Sequence, residues 1–135
     1  MMIRLQPMLA VCSLALVLTA CTGYAPVKYT DGIMTNAAGM TLYTFDKDVS
    51  GSGKSVCNGP CATNWPPFLS GSGEAGGDWT VVTRDDGSKQ WAFLGKPLYL
   101  WNKDQKPGDI TGDGFNNAWR AVRPEPRPLT GNMSL

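Results

Sequence analysis

The chain contains no histidine among its 135 residues, and that absence removes whole classes of chemistry. Without an imidazole there is no Ser-His-Asp or Cys-His constellation, no histidine-ligated metal or haem, and no ordinary switch near neutral pH. Excess charge is lacking too. Twelve Lys and Arg stand against eleven Asp and Glu, so neither a basic footprint for nucleic acid nor the acidic surplus of a disordered chain is present. Nowhere beyond Leu18 do ten residues in a row carry the apolar period of an amphipathic helix. Carboxylate-only catalysis, as in glycoside hydrolysis, stays open in principle, with Asp46, Asp48, Asp104, Asp109 and Asp113 as the clustered acids. A domain this small offers little wall for a deep cleft. The expectation is a protein that is not an enzyme and carries no cofactor.

What is present begins with a positive start at Arg4, an apolar run from Met8 to Leu18 broken only by Ser13, and then Thr19-Ala20-Cys21. The run is shorter than the roughly 20 residues that span a bilayer, and its flanks are those of an export signal. This pattern predicts a lipoprotein signal peptide over residues 1–20 and acylation of Cys21, which would hold the body of the protein at a membrane surface. An ordinary signal peptide cut near Ala20 is the alternative. With Thr22 in place of an aspartate after the anchor, the outer membrane is favoured if the source has two membranes. Partners expected on this basis are the membrane, through the lipid, and an envelope protein or glycan; nucleic acid is not expected.

Removal of the signal takes Arg4 with it and leaves the remaining charges balanced, while five tryptophans argue for a packed interior. Residues 21–31 show no periodicity and are predicted as anchor and spacer. From residue 32 to 124 the signals are those of strands and turns. Thr41–Phe45, Trp79–Thr83, Gln90–Leu94, Leu98–Trp101 and Ala118–Val122 are rich in strand-forming residues. Asp86-Gly87 between two of these runs predicts a hairpin, because the glycine takes the positive φ the turn demands. Ser70 to Gly77 reads as a flexible connection, and the alternating prolines from Pro124 as the start of a stiff tail over 125–135. The predicted class is all-β, a small antiparallel barrel or sandwich.

Set against itself at an offset of 56 residues, the chain repeats. Gly39, Leu42, Tyr43, Lys47 and Asp48 recur as Gly95, Leu98, Tyr99, Lys103 and Asp104, with Phe45 answered by Trp101. The two motif copies cover about 39–67 and 95–123. In a strand, each tyrosine and the aromatic two positions on would share one face while Leu42 and Leu98 point the other way. The two aspartates fall past the strand ends, where a carboxylate can accept backbone N–H groups. Core packing is the first reading of the four rings, and an exposed recognition face the second.

These residues, with Cys57-Asn58-Gly59-Pro60-Cys61 running into Trp65-Pro66-Pro67 and with Pro107 to Gly114, resemble a family of bacterial lipoproteins with a Tyr-x-(Phe/Trp/Tyr)-x-x-Asp motif, a secreted repeat of unknown function. The resemblance covers about Gly32 to Pro124. It implies an anchored β-domain outside the cytoplasm and brings no activity with it. Where the family's second copy ends in Trp-His, this chain has Trp119-Arg120.

Two sites need their alternatives stated. Of four cysteines, Cys12 leaves with the signal and Cys21 is the lipid site, so Cys57 and Cys61 remain, most simply as a disulfide in an oxidising compartment. As two thiols the same pair would suit Cu(I), and as a labile disulfide it could shuttle electrons. Met34, Met40 and Met133 are the remaining methionine sulfurs, and none is near the pair in sequence. Asp109, Thr111 and Asp113 echo the spacing of a calcium loop, but its twelfth position is Arg120 rather than a glutamate. Tight turns explain that stretch with less. The function expected is a non-enzymatic binding or structural module at a membrane surface; the alternative is redox or copper handling through Cys57 and Cys61.

Overall fold

A computed structural model of the protein describes residues 25–125. The expected signal peptide, Cys21, Met133 and all but the first residue of the expected tail lie outside the described residues. The domain opens on a hairpin of β1 (Val27–Thr30) and β2 (Ile33–Asn36), paired antiparallel with Tyr29 opposite Met34. Its turn is Asp31-Gly32, both with positive φ (51° and 78°), the two-residue geometry that matches strand twist. This corrects the expectation of a spacer reaching residue 31: the fold has begun by Ala25, which is only 8% exposed. The hairpin is hard to see in sequence because three of the four β1 residues face solvent, so no apolar alternation marks it.

The second hairpin joins β4 (Trp79–Thr83) to β5 (Lys89–Phe93) around Asp86-Gly87, as the turn signal predicts, and β6 (Lys96–Pro97) adds to β5. β3 (Tyr43–Phe45) pairs antiparallel with β7 (Trp119–Ala121), placing Phe45 opposite Trp119. The only helical pieces among the described residues are α1 (Pro60–Asn64) and a single 3-10 turn at Phe115–Asn117. The architecture is therefore all-β, made of small antiparallel sheets.

Leu98–Trp101 does not become the strand its composition predicts. Tyr99 forms isolated bridges with Tyr43 on one side and Pro67 on the other. Pro97 precedes this run and Pro66-Pro67 lies across from it; prolines have no N–H to give, so the ladder cannot lengthen.

The two copies are interlocked by exchange. Tyr43 and Tyr99, the same residue of each copy, donate N–H groups to one another's carbonyls at 2.8 and 2.9 Å. Val122 of the second copy lies between Met34 and Leu42 of the first: Met34 N donates to Val122 O and Val122 N to Leu42 O, each at 2.9 Å. Phe68 of the first copy answers it between Trp91 and Leu98 of the second, each bond being 2.8 Å. Asp46 N donates to Ala118 O and Asn102 N to Asn64 O in the same sense. Each copy thus lends its closing segment to the other.

The repeated glycines fit this pattern. Both adopt positive φ (84° at Gly39, 79° at Gly95), and a Cβ on Gly95 would lie 2.6 Å from the backbone nitrogen of Gly51, in the other copy. Glycine is needed there for conformation and for close approach.

Alternation along the exchanged strands creates two cores. Tyr43, Phe45, Tyr99, Trp101, Trp119 and Ala121 point to one side, with Trp65 and Cys57. Leu42, Leu98, Leu100 and Val122 point to the other, where Ala25, Met34, Phe68 and Trp91 complete the packing. This is the face assignment that a period of two predicts.

Candidate functional site

The motif residues meet across the repeat. The Tyr43 hydroxyl donates to Asp104 Oδ2 at 2.6 Å, and the Tyr99 hydroxyl to Asp48 Oδ2 at 2.5 Å. Each tyrosine therefore bonds to the aspartate of the other copy. The second oxygen of each carboxylate holds the loop that follows it within its own copy: Asp48 Oδ1 accepts Val56 N at 2.8 Å, and Asp104 Oδ1 accepts Thr111 N and Oγ1. All four groups are buried. The repeated lysines, Lys47 and Lys103, are exposed.

The Tyr99–Asp48 pair continues into a directed chain that sequence reading did not find. Arg84 is buried, and its guanidinium donates to Ser55 Oγ, Gln90 Oε1, the Cys57 carbonyl and Asn58 Oδ1. Ser55 Oγ lies 2.6 Å from the Tyr99 hydroxyl. With Tyr99 donating to Asp48, the donors run from Arg84 through Ser55 and Tyr99 to Asp48, so a buried cation and a buried anion are joined by aligned hydrogen bonds. Arg84 sits at the edge of a hairpin turn, where an arginine is ordinarily solvated, and no sequence signal separates it from Arg120 or Arg123.

Burial and the bond to Asp104 push the Tyr43 hydroxyl well above its ordinary pKa, and burial and the bond to Asp48 do the same for Tyr99. A raised acid pKa means the folded state holds these protons more tightly than the unfolded chain. The stabilisation is complete below about pH 10, the unfolded tyrosine value, and is lost as pH climbs beyond it. Melting temperatures taken between pH 7 and 11 are expected to fall from about pH 10, and to fall less steeply in the Tyr43→Phe/Tyr99→Phe chain. Identical slopes in the two chains would contradict this.

The rings beside these pairs form a column. Phe45 stacks on Trp119 (centroids 4.3 Å), Trp119 on Trp65 (3.7 Å, 3° between planes) and Trp65 on Trp101 (3.9 Å), with Phe115 tilted against the end. Tyr43 and Tyr99 meet Trp65 and Trp119 edge-on. All four motif rings are at most 9% exposed, so the structure corrects the second reading of them: they are interior, and no recognition face is built from them.

Cys57 and Cys61 are bonded, with Cα atoms 5.2 Å apart. Cys57 is fully buried against the ring column, whereas Met34 is buried in the opposite core. The bridge ties the loop held by Asp48 to α1 and hence to Trp65, whose N–H donates to the Cys61 carbonyl. A closed loop of five residues is worth about 2 kcal/mol on chain entropy. The Cys57→Ala/Cys61→Ala chain is expected to lose that much in urea unfolding; a loss under about 0.5 kcal/mol, within the range of ordinary surface substitutions, would contradict a structural bridge.

The acidic stretch is occupied locally. Asp109 accepts N–H groups from Gln105 and Lys106, which hold its carboxyl below the usual range. Thr111 is bound to Asp104, and Asp113 accepts Arg123 at 2.6 Å and Ala121 N at 2.9 Å; Arg123 foremost lowers the Asp113 pKa. The three side chains are thus turned to separate partners, and among the described residues no group of three or more His, Cys, Asp or Glu is placed to hold a metal ion. Arg120 forms an exposed ion pair with Asp46 at 3.1 Å.

A concavity lies elsewhere. A groove of about 700 Å³ is lined by Tyr29 of β1, Trp79 of β4 and Phe93 of β5, with Thr44, Leu94 and Val122. Tyr29 and Leu94 are 58% and 60% exposed.

Comparison with known proteins bears on this arrangement in one way. A family model described as a secreted repeat of unknown function matches the chain twice, over residues 25–68 and 80–123. The matched ranges start at the two hairpins, so each repeat is longer than the motif copies predicted from residues 39 and 95. No curated protein and no solved structure matches the chain. Two matched repeats whose tyrosines and aspartates pair crosswise account for nearly the whole described domain, and the chain belongs to the family of secreted repeats of unknown function.

Proposed function

We propose that this exported protein is a lipid-anchored, non-enzymatic module of the cell envelope that displays a rigid β-domain at a membrane surface for binding or structural work. The observation that carries the reading is how completely the motif chemistry is committed to the fold. Each buried motif carboxylate is bonded to a tyrosine of the other copy and to a backbone N–H, and the motif rings are interior. The groove's accessible surface is mainly apolar, with Asp78 and Glu125 set beside Lys96 and Arg123, which suits a binding surface better than proton transfer. The Cys57–Cys61 bridge, half of it buried against the ring column, supports a structural bond over copper or redox handling.

Anchoring is tested by radiolabelled palmitate. Label on the parent chain and none on Cys21→Ser is the expected result; label that survives in the variant overturns the anchor. Native mass spectrometry of the exported Cys21→Ser chain, purified without metal or reductant, tests the cysteine reading. A mass two hydrogens below the reduced value with no adduct is expected, and reduced thiols carrying a metal would reverse the assignment.

A further inference from the structure

The fold starts very close to the proposed anchor. Only Thr22, Gly23 and Tyr24 separate Cys21 from Ala25, and Ala25 is already packed in the core with Met34 and Trp91. Four residue steps reach at most about 14 Å, whereas a domain of this size is roughly 30 Å across. An acylated Cys21 would therefore hold the Ala25 side of the domain against the lipid, with no length for the body to stand away.

That side carries exposed apolar side chains. Tyr29 is four residues from Ala25 on β1, and across the groove lie Trp79, Phe93 and Leu94. Val49, 69% exposed, extends the surface: its loop is fixed to the Leu94 turn by Ser50 Oγ to Leu94 O and Gly51 N to Gly95 O, both 2.9 Å. Three aromatic rings, Tyr29, Trp79 and Phe93, and aliphatic tips around the groove suit the boundary between headgroups and acyl chains, where amphipathic rings settle. Charge on the rim is balanced, Lys96 and Arg123 standing with Asp78 and Glu125. The contact it implies is apolar and does not select anionic lipid.

Building on the anchor reading, we propose that the face formed by Tyr29, Val49, Leu94 and the Trp79–Phe93 groove rests on the lipid bilayer that holds Cys21, leaving the ring-column side with Lys103 toward water. Among the described residues no helix is long and apolar enough to cross a membrane, so this is a surface contact that supplements the anchor.

The test uses the full acylated protein in phosphatidylcholine vesicles, with a nitroxide placed in turn at Leu94→Cys, Tyr29→Cys and Lys103→Cys. All three positions are exposed, so the fold tolerates the change. Accessibility to a water-soluble relaxing agent is expected to fall several-fold at positions 94 and 29 on vesicles, to stay unchanged at 103, and to be insensitive to salt. Equal accessibility at 94 and 103 in a chain whose mass shows acylation overturns this proposal and leaves the anchor standing. A chain without acyl mass at Cys21 overturns both. Protection of position 94 already in the Cys21→Ser chain in buffer means another segment or a second copy covers the groove, and also overturns it.

Discussion

Trp65→Ala is expected to cost the domain about 3–5 kcal/mol, the range for removing a large buried aromatic. The indole is 3% exposed and sits between Trp101 and Trp119, with ring centroids 3.9 and 3.7 Å away. Truncation would open a gap in the middle of the column, and neither neighbour can close it, because Trp119 is held by its β3 partner and Trp101 by the bridge at Tyr99. Gly112, whose added Cβ would lie 2.7 Å from the Trp65 ring, shows how closely the backbone has been brought to that indole. Domains of this kind have about 5–15 kcal/mol in total, so the variant is expected to melt well below the parent or to be unfolded at 25 °C. Phe115→Ala, at the exposed end of the same column, is the comparison and is expected to lose far less. Equal losses at the two positions would mean that the column is not the packing centre.

Neither repeat is expected to fold alone. A chain cut between Ala75 and Gly76 yields halves that each lack the closing segment that completes them: the first loses Trp119 to Val122, the second Trp65 to Phe68. Each half would also expose a buried carboxylate and a tyrosine without their partners, and unpaired buried polar groups are costly. Circular dichroism of either half by itself is expected to show no cooperative melt, and equimolar mixing to restore one. A half that melts cooperatively as a monomer would show that exchange is dispensable.

The boundary between what the sequence told and what it hid is a matter of dimension. Period two in Leu42-Tyr43-Thr44-Phe45 and Leu98-Tyr99-Leu100-Trp101 assigns both faces correctly, because alternation is a local property of extended chain. The Asp86-Gly87 turn is local too. Asp31-Gly32 carries the same signal but sits between strands with little apolar alternation, so it passes as spacer. Self-comparison at an offset of 56 shows that Tyr43 and Asp48 recur together, and the natural inference is that they act together within a copy. In the fold they act across copies; spacing along one dimension is silent about exchange, since within-copy and crossed pairings leave the same repeat. Arg84 was hidden for a related reason, its partners Ser55, Cys57 and Asn58 being more than 25 residues away. The groove residues Tyr29, Trp79 and Leu94 form no motif and become neighbours only when the two hairpins are brought together.

Crossed pairing of the motif is the claim on which the rest depends, and double-mutant cycles measure it directly. Tyr43→Phe combined with Asp104→Asn, and Tyr99→Phe combined with Asp48→Asn, are expected to show coupling of about 1–3 kcal/mol in urea unfolding, as bonded buried groups do. Tyr43→Phe with Asp48→Asn, and Tyr99→Phe with Asp104→Asn, are expected to add to within about 0.5 kcal/mol. Strong coupling inside each copy with additivity between copies would contradict the interlocked arrangement.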